Sequence, residues 1–166
     1  QLQSAGFVDA IVTQNVDGLH QRAGSDPVIE LHGSLDVARC RSCGTQMPIT
    51  AARHRWAEAA DALPRCDCGE VMGPGVVLFG EQLPPSIETA FELAASSDVV
   101  LVVGTSLEVY PAAGLPLATI ERGGAMAIVC AGTTPFDDVA AIRVGDPAGA
   151  VLAAVARELV PRPEGA

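Results

Sequence analysis

The chain has 166 residues, a formal net charge of −10 and only 18% charged residues. That length suits one domain with a real core and is short for two, and the acidic balance opposes nonspecific binding to nucleic acid or anionic membranes, which would repel it. No apolar stretch approaches the roughly 20 residues that span a bilayer, and no basic segment leads into an apolar one at the N-terminus. The expectation is a soluble, cytoplasmic protein with no nucleic-acid and no membrane partner; the oligomeric state stays open. Hydrophobic residues make up 49% and aromatics only 4%, so the core must be built from Ala, Val, Leu and Ile, which favours helices packed on a sheet.

The opening "QLQSAGFVDAIVTQN" has no methionine and reads as a helix end running through Gly6 into a strand at 7–13, as if the chain began in mid-protein. The segment "TQNVDGLHQRAGSDPVIELHG" at 13–33 then crowds Gln14, Asn15, Asp17, His20 and His32 between short apolar runs. Asn-x-Asp-Gly and Ala-Gly-Ser-Asp-Pro are both turn chemistry, but loops at strand ends also carry active sites.

From Asp36 to Met72 the pattern changes. Cys40 and Cys43 form C-x-x-C followed by glycine, and Cys66 and Cys68 form C-x-C followed by glycine after 22 intervening residues. Four thiolates in two turn-borne pairs fit one tetrahedral zinc with no position left open, hence a structural site. Disulfides and free buried thiols are the alternatives, the former disfavoured in an intracellular chain. His54, between Arg53 and Arg55, is expected on a solvated face.

Beyond Met72, buried strands are expected at "GVVLF" 75–79, "DVVLVVG" 98–104, "AMAIVC" 125–130 and "AAIRV" 140–144. Between and after them lie helical patterns. Ile87, Ala90, Phe91, Ala94 and Ala95 share one face. Asp146 is placed as a cap and Pro147 in the first turn of a helix with Val151, Leu152, Val155 and Leu159 on one stripe. Strands alternating with amphipathic helices predict an α/β fold with a doubly wound parallel sheet. Ligands of such sheets sit beyond the carboxyl ends of the strands, where this chain has Gln14-Asn15, Phe79-Gly80-Glu81, Gly104-Thr105-Ser106 and Cys130-Ala131.

Taken together, "TQNVDGLHQRAG", "ELHGS", the paired cysteines, "PGVVLFGEQLP", "VVGTSLEVYPAAG" and "TPFDDVA" resemble the sirtuins, NAD-dependent protein lysine deacylases, in order and approximate spacing. The resemblance covers nearly the whole chain. It implies a Rossmann-like NAD-binding domain, incomplete at its N-terminal side, from residues 1–35 and 73–166, with a zinc-binding module inserted at 36–72. His32 would be the general base. Gln14, Asn15 and Asp17 would line the nicotinamide and ribose pocket, and Gly104, Thr105, Ser106 and Cys130 would hold the adenosine side of NAD. Val77 and Phe79 would line the acyl-lysine tunnel, with acyl-lysine proteins or peptides as partners. His20 belongs to the same pattern and is expected to be a structural hydrogen-bonder. The implied products are deacylated lysine, nicotinamide and O-acyl-ADP-ribose. An imidazole suits the base because it is largely neutral near pH 7 and can accept a proton from a ribose hydroxyl.

Two departures from the family pattern matter. Cys130 and Gly132 stand where the family usually has Asn and an acidic residue, so the contact to the adenosine ribose is expected to be weaker. The Gly-Ala-Gly-x-Ser phosphate loop, the flexible cofactor loop and the small helical lobe have no counterpart in these residues, so the chain by itself is expected not to turn over NAD and to leave apolar faces bare. The alternatives are an inactive fragment, a zinc-ribbon interaction module, and a nucleotide-binding α/β protein without deacylase activity.

Overall fold

The computed structural model describes residues 1–59 and 61–160. They form two compact units, one within residues 11–86 and one of residues 1–10 with 87–160. No helix among the described residues is long and apolar enough to cross a membrane.

In the 11–86 unit, β1 (Ile11–Thr13) pairs in parallel with β2 (Val28–Glu30), Ile11 opposite Val28. The connection holds a single helical turn, α1 (Leu19–Arg22). It ends where Gly24, at φ +84°, lets the Gly24 and Ser25 amides reach the carbonyls of Gln21 and His20, the glycine-terminated arrangement that satisfies orphan helix carbonyls. The same bonding occurs at the start of the chain, in the other unit, where the Gly6 and Phe7 amides reach Gln3 and Leu2 with Gly6 at φ +79°. The opening residues therefore end a helical turn, as the sequence implies. The strand expected at 7–13 is confined to Ile11–Thr13, and Phe7 is 53% exposed.

The centre of this unit is an antiparallel sheet in the order β4-β3-β5, made of β3 (Gly33–Cys40), β4 (Gln46–Pro48) and β5 (Met72–Val76). The helix α2 (Ile49–Glu58) packs on β3 and β4. Its small core consists of Ala38, Cys40, Ala52, Cys66 and Met72, with Met47 and Ile49 against it. His54 is exposed, as expected.

This sheet corrects one expectation. The run at 75–79 is not a buried parallel strand: the strand spans Met72–Val76 and runs antiparallel to β3. Val77 adds one more bond, its amide donating to the His32 carbonyl at 2.9 Å. The chain then turns at Gly80, φ +84°, leaving Leu78 and Phe79 outside the sheet and exposed. An apolar run cannot distinguish core strand from exposed binding loop, because both select the same residue types.

The other unit holds a parallel sheet, order β6-β7-β8, of β6 (Val99–Val103), β7 (Ala125–Val129) and β8 (Ile142–Val144). The helix α3 (Ser86–Ser96) precedes it, with Ala90 fully buried and Ile87, Phe91, Ala94 and Ala95 half-buried, the face expected from the sequence. The crossover α4 (Leu115–Glu121) packs on β6 and β7. Thr119 on α4 is fully buried, and its hydroxyl donates to the Ala94 carbonyl of α3 at 2.7 Å. Val102, Leu107, Ala113, Met126 and Ile128 form the core, each large side chain contributing about 1.5–3 kcal/mol by leaving water. On the opposite face of β6, Val99, Leu101 and Val103 are exposed, as is Ile142 in the same register row of β8.

The last helix, α5 (Ala148–Leu159), also differs in detail. Pro147, extended at ψ 124°, is the cap residue, with no side-chain cap bond, so Asp146 does not cap. Ala156 is buried whereas Val155 and Leu159 are exposed, so the buried stripe is turned toward the small residue, which allows closer approach than the larger ones.

Gly33 is the tightest point of the 11–86 unit. It sits at φ +73°, and a Cβ there would lie 2.1 Å from the Gly75 carbonyl oxygen. Gly33→Ala should therefore cost about 3 kcal/mol or more, combining left-handed strain with overpacking. Gly73→Ala, where a Cβ meets nothing within 4 Å, should cost under about 1 kcal/mol. Denaturant midpoints of the two variants check this, and equal midpoints would refute the close crossing.

Candidate functional site

The residues singled out in the N-terminal part gather at the ends of β1 and β2. Thr13 is buried, its hydroxyl accepting the Asn15 amide at 3.1 Å, and its carbonyl accepts the Leu31 amide at 2.9 Å. The loop after β1 is thereby tied to the strand that ends beside His32. His32 is half-buried, and its Nδ1 lies 3.2 Å from the Gln14 carbonyl oxygen. A carbonyl can only accept, so this contact puts the proton on Nδ1 and leaves Nε2 with the lone pair, the tautomer a general base needs. The Asp17 carboxylate accepts the Leu19 amide at 3.0 Å and so starts α1, while the Leu35 amide donates to the Val16 carbonyl at 2.9 Å. Asn15 is exposed and Gln14 half-buried; His20 lies half-buried in α1.

Pairing between β3 and β5 sets Val77 next to His32 through the 2.9 Å amide-to-carbonyl bond. The following turn is closed from both sides: the Glu81 amide donates to the Leu78 carbonyl at 3.0 Å, and the Leu78 amide donates to the Glu81 carboxylate at 2.9 Å. Glu81 is also ion-paired with Arg41, which donates to the Val76 carbonyl at 3.1 Å. The Leu78 amide, then Arg41, hold the Glu81 carboxyl below the usual carboxylate range. Phe79, at the tip, is fully exposed at 101%. Glu81 is one of the strand-end residues expected from the sequence, but its partner Arg41 is not, because only the fold brings residues 40 positions apart together.

In the other unit, Gly104, Thr105, Ser106 and Cys130 lie at the carboxyl ends of neighbouring parallel strands. The Gly104 amide donates to Val129 at 2.9 Å and the Cys130 amide to Val144 at 3.0 Å. Gly104 has φ +64°, and neither it nor Gly132 has an atom within 4 Å of where a Cβ would be, so the backbone here is open to a ligand. The Thr105 hydroxyl accepts the Leu107 amide at 3.2 Å. Arg143 organises the loop after β7, donating to the carbonyls of Cys130 at 2.6 Å and Gly132, and to Asp137 at 2.9 Å, whose carboxylate also accepts the Thr134 hydroxyl at 2.7 Å. Nothing local marks this arginine, which lies in β8 and reaches its partners only through the fold. Thr134 first, then Arg143, lower the Asp137 pKa.

Cys40, Cys43, Cys66 and Cys68 converge, their sulfurs all within 4.8 Å of one another. The Cys40–Cys68 and Cys43–Cys66 separations are 3.6 Å each, near the ~3.8 Å edge of a tetrahedron with metal–sulfur bonds of about 2.3 Å and far from a disulfide. All four are free thiols and are positioned to bind one zinc ion. Each pair sits on a tight turn. The Gly44 amide returns to Cys40 at 2.9 Å and the Gly69 amide to Cys66 at 2.9 Å, with both glycines at positive φ. The second turn is one residue shorter, which accounts for C-x-C. Contacts with the Thr45 side chain, then its backbone, then Cys40 and Cys66 lower Cys43 to about 6.

Two outcomes follow. Freshly prepared protein should carry one zinc per chain by elemental analysis, and chelation should unfold residues 36–72, since structural zinc supplies on the order of 10 kcal/mol of folding free energy; less than a tenth of an equivalent would contradict the site. Because the folded Asp137 pKa is depressed, its contribution is intact above the unfolded value of about 3.9 and is lost as pH falls through the folded one. Asp137→Asn should then lose less melting temperature than the parent between about pH 5 and pH 3, and parallel losses would rule this out.

The model of the Sir2 family matches residues 1–111. The NAD-dependent protein deacetylase of Caldivirga maquilingensis is 48% identical over 141 residues, covering 84% of this chain and 54% of its own length. The NAD-dependent protein deacylase 1 of Archaeoglobus fulgidus is 42% identical over 161 residues, covering 96% and 64%. A solved structure described as Sir2 bound to acetylated peptide superposes with a TM-score of 0.87 at 38% identity, over 95% of this chain and 66% of that one. The chain thus spans little more than half to under two thirds of the relatives it matches. Given the family model over two thirds of its residues and these likenesses, the chain belongs to the Sir2 family.

Proposed function

We propose that the protein is an NAD-dependent protein lysine deacylase that transfers the acyl group of an acyl-lysine peptide to ADP-ribose, releasing nicotinamide. The observation that carries this is His32, held by the Gln14 carbonyl as a tautomer with a free Nε2 and bonded through its own carbonyl to Val77, which leads into the exposed Leu78 and Phe79. Relatives named as deacetylases and deacylases and a structure holding an acetylated peptide support it.

Each residue then has a role. His32 takes a proton from a ribose hydroxyl at Nε2. Val77 and Phe79 offer apolar surface to the acyl-lysine stem, and the extended backbone there can pair with a peptide whatever its sequence. Gln14, Asn15 and Asp17 line the nicotinamide and ribose side; Gly104, Thr105, Ser106 and Cys130 hold the adenosine side. Bound NAD supplies the electrophilic ribose carbon that accepts the acyl oxygen. The zinc is structural, since four cysteines leave no coordination position for a reactant. We assign residues 36–72 as the zinc-binding module and 1–35 with 73–166 as the NAD-binding part, because all four cysteines, α2 and β4 fall in the first span. Free paired cysteines and a net charge of −10 favour a cytoplasmic location and disfavour nucleic acid as a partner.

The test uses a form of the protein that joins this chain to a Gly-Ala-Gly-x-Ser phosphate loop: with NAD and an acetyl-lysine peptide it should yield O-acetyl-ADP-ribose, whereas the 166-residue chain by itself should not. His32→Ala should lower turnover by about 10²- to 10⁴-fold while the peptide still binds. Turnover within a factor of two of the parent would remove His32 from the mechanism.

A further inference from the structure

Arg41 is the second residue of the C-x-x-C turn, held between Cys40 and Cys43, which form part of the four-sulfur cluster. Its backbone is fixed by the strand end at Cys40 and by the turn that returns Gly44 to Cys40. From this anchored position the side chain leaves the cysteine cluster and reaches the other end of β5. One nitrogen donates to the Val76 carbonyl at 3.1 Å, and another pairs with the Glu81 carboxylate. Glu81 spends its second oxygen on the Leu78 amide at 2.9 Å. The two residues thus bracket Val77, Leu78 and Phe79 from both flanks, one contact at Val76 and one across the turn.

Such a bracket has work to do. Leu78 is 53% exposed and Phe79 101%, so burial does little to hold the tip of the segment in shape. Two apolar side chains standing in water would otherwise collapse onto nearby apolar surface, since hydrophobic attraction is nondirectional. Within the turn, the 3.0 Å bond from the Glu81 amide to the Leu78 carbonyl closes only the backbone. The Arg41–Glu81 pair connects that turn to the sheet. Both side chains are about one-third exposed, and the planar guanidinium serves a carbonyl and a carboxylate at once, which a lysine ammonium does less well.

We propose that Arg41, acting through Glu81, is a positioning residue that presets the Val77–Phe79 segment for the acyl-lysine side chain, and so couples the cysteine turn to substrate affinity. This rests on the deacylase reading of that segment. A preset segment lowers the ordering cost of binding, so its loss appears in the KM for the acyl-peptide. The KM for NAD and kcat should change far less, because Arg41 touches neither the base nor the strand ends assigned to the cofactor.

The experiment, made in the same longer form joined to a phosphate loop, compares the parent with Arg41→Ala, Arg41→Lys, Glu81→Gln and the double variant Arg41→Ala/Glu81→Gln. Zinc content and melting temperature should stay at parental values. The KM for an acetyl-lysine peptide should rise about 5- to 10-fold in Arg41→Ala and in Glu81→Gln, with kcat and the KM for NAD within about twofold. The double variant should be no worse than the worse single one, since coupled residues do not add, and Arg41→Lys should recover part of the loss. Multiplying effects in the double variant, an unchanged peptide KM, or equal changes in kcat and both KM values would overturn the proposal. Amide hydrogen exchange distinguishes this from failure of the deacylase reading. Faster exchange at Leu78 in both single variants supports the bracket even if no deacylation is found, whereas unchanged exchange sinks it whatever the enzyme does.

Discussion

The 11–86 unit depends on a crossing that only glycine permits. Gly33 and the carbonyl of Gly75 approach so closely that a single methyl group would collide, and without that approach β3 and β5 could not run together as far as Val76. His32 precedes Gly33 in sequence and Val77 follows β5, so one pair of strands brings His32 and the Val77–Phe79 segment to the same place. His32 therefore gains its position from the strand it introduces rather than from a core built around it.

The opposite end of the same sheet is held by different physics. Two alanines, two cysteines and a methionine are the fully buried core there, little apolar surface for a sheet, a helix and two turns to share. Burial alone at about 25 cal/mol per Å² cannot offset the entropy of ordering so many residues, and a four-thiolate metal site is the economical substitute. Arginine pairs then trim the surface around it: Arg55 reaches Asp67 and the Arg65 carbonyl, and Arg65 reaches Asp61 and the Gly69 carbonyl. Two of these acceptors lie in the second cysteine turn, so its shape is fixed from outside as well as by its sulfurs.

What was legible in the sequence follows from how local each signal is. The two cysteine turns, the helical face of α3 and the glycine-ended turn at Gly6 are written in residues a few positions apart, and all were readable. The alternation of apolar runs gave the parallel sheets, but period and composition cannot state a strand's direction or partner, so the stretch at 75–79 was misplaced. Asp146 has the residue type of a cap, yet Pro147 takes the cap position at ψ 124°; its ring fixes only φ, at a value that helix and extended backbone share, so residue type cannot decide between them. Arg41 with Glu81 and Arg143 with Asp137 were invisible because each pair depends on strands aligning at a distance. On β6, the unbroken apolar run of four valines and a leucine implies a buried strand; the structure buries Val100 and Val102 more deeply than Val99, Leu101 and Val103.

The acceptor that sets the His32 tautomer is a main-chain carbonyl, and this separates two jobs that share one residue. Substituting Gln14 changes its side chain while leaving the carbonyl in place, so variation at this position need not disturb the His32 ring. A carboxylate in the same role would have been one mutation away from loss. Placing the constraint in the backbone makes the orientation of the ring robust to drift, and leaves the side chain beside it free to change.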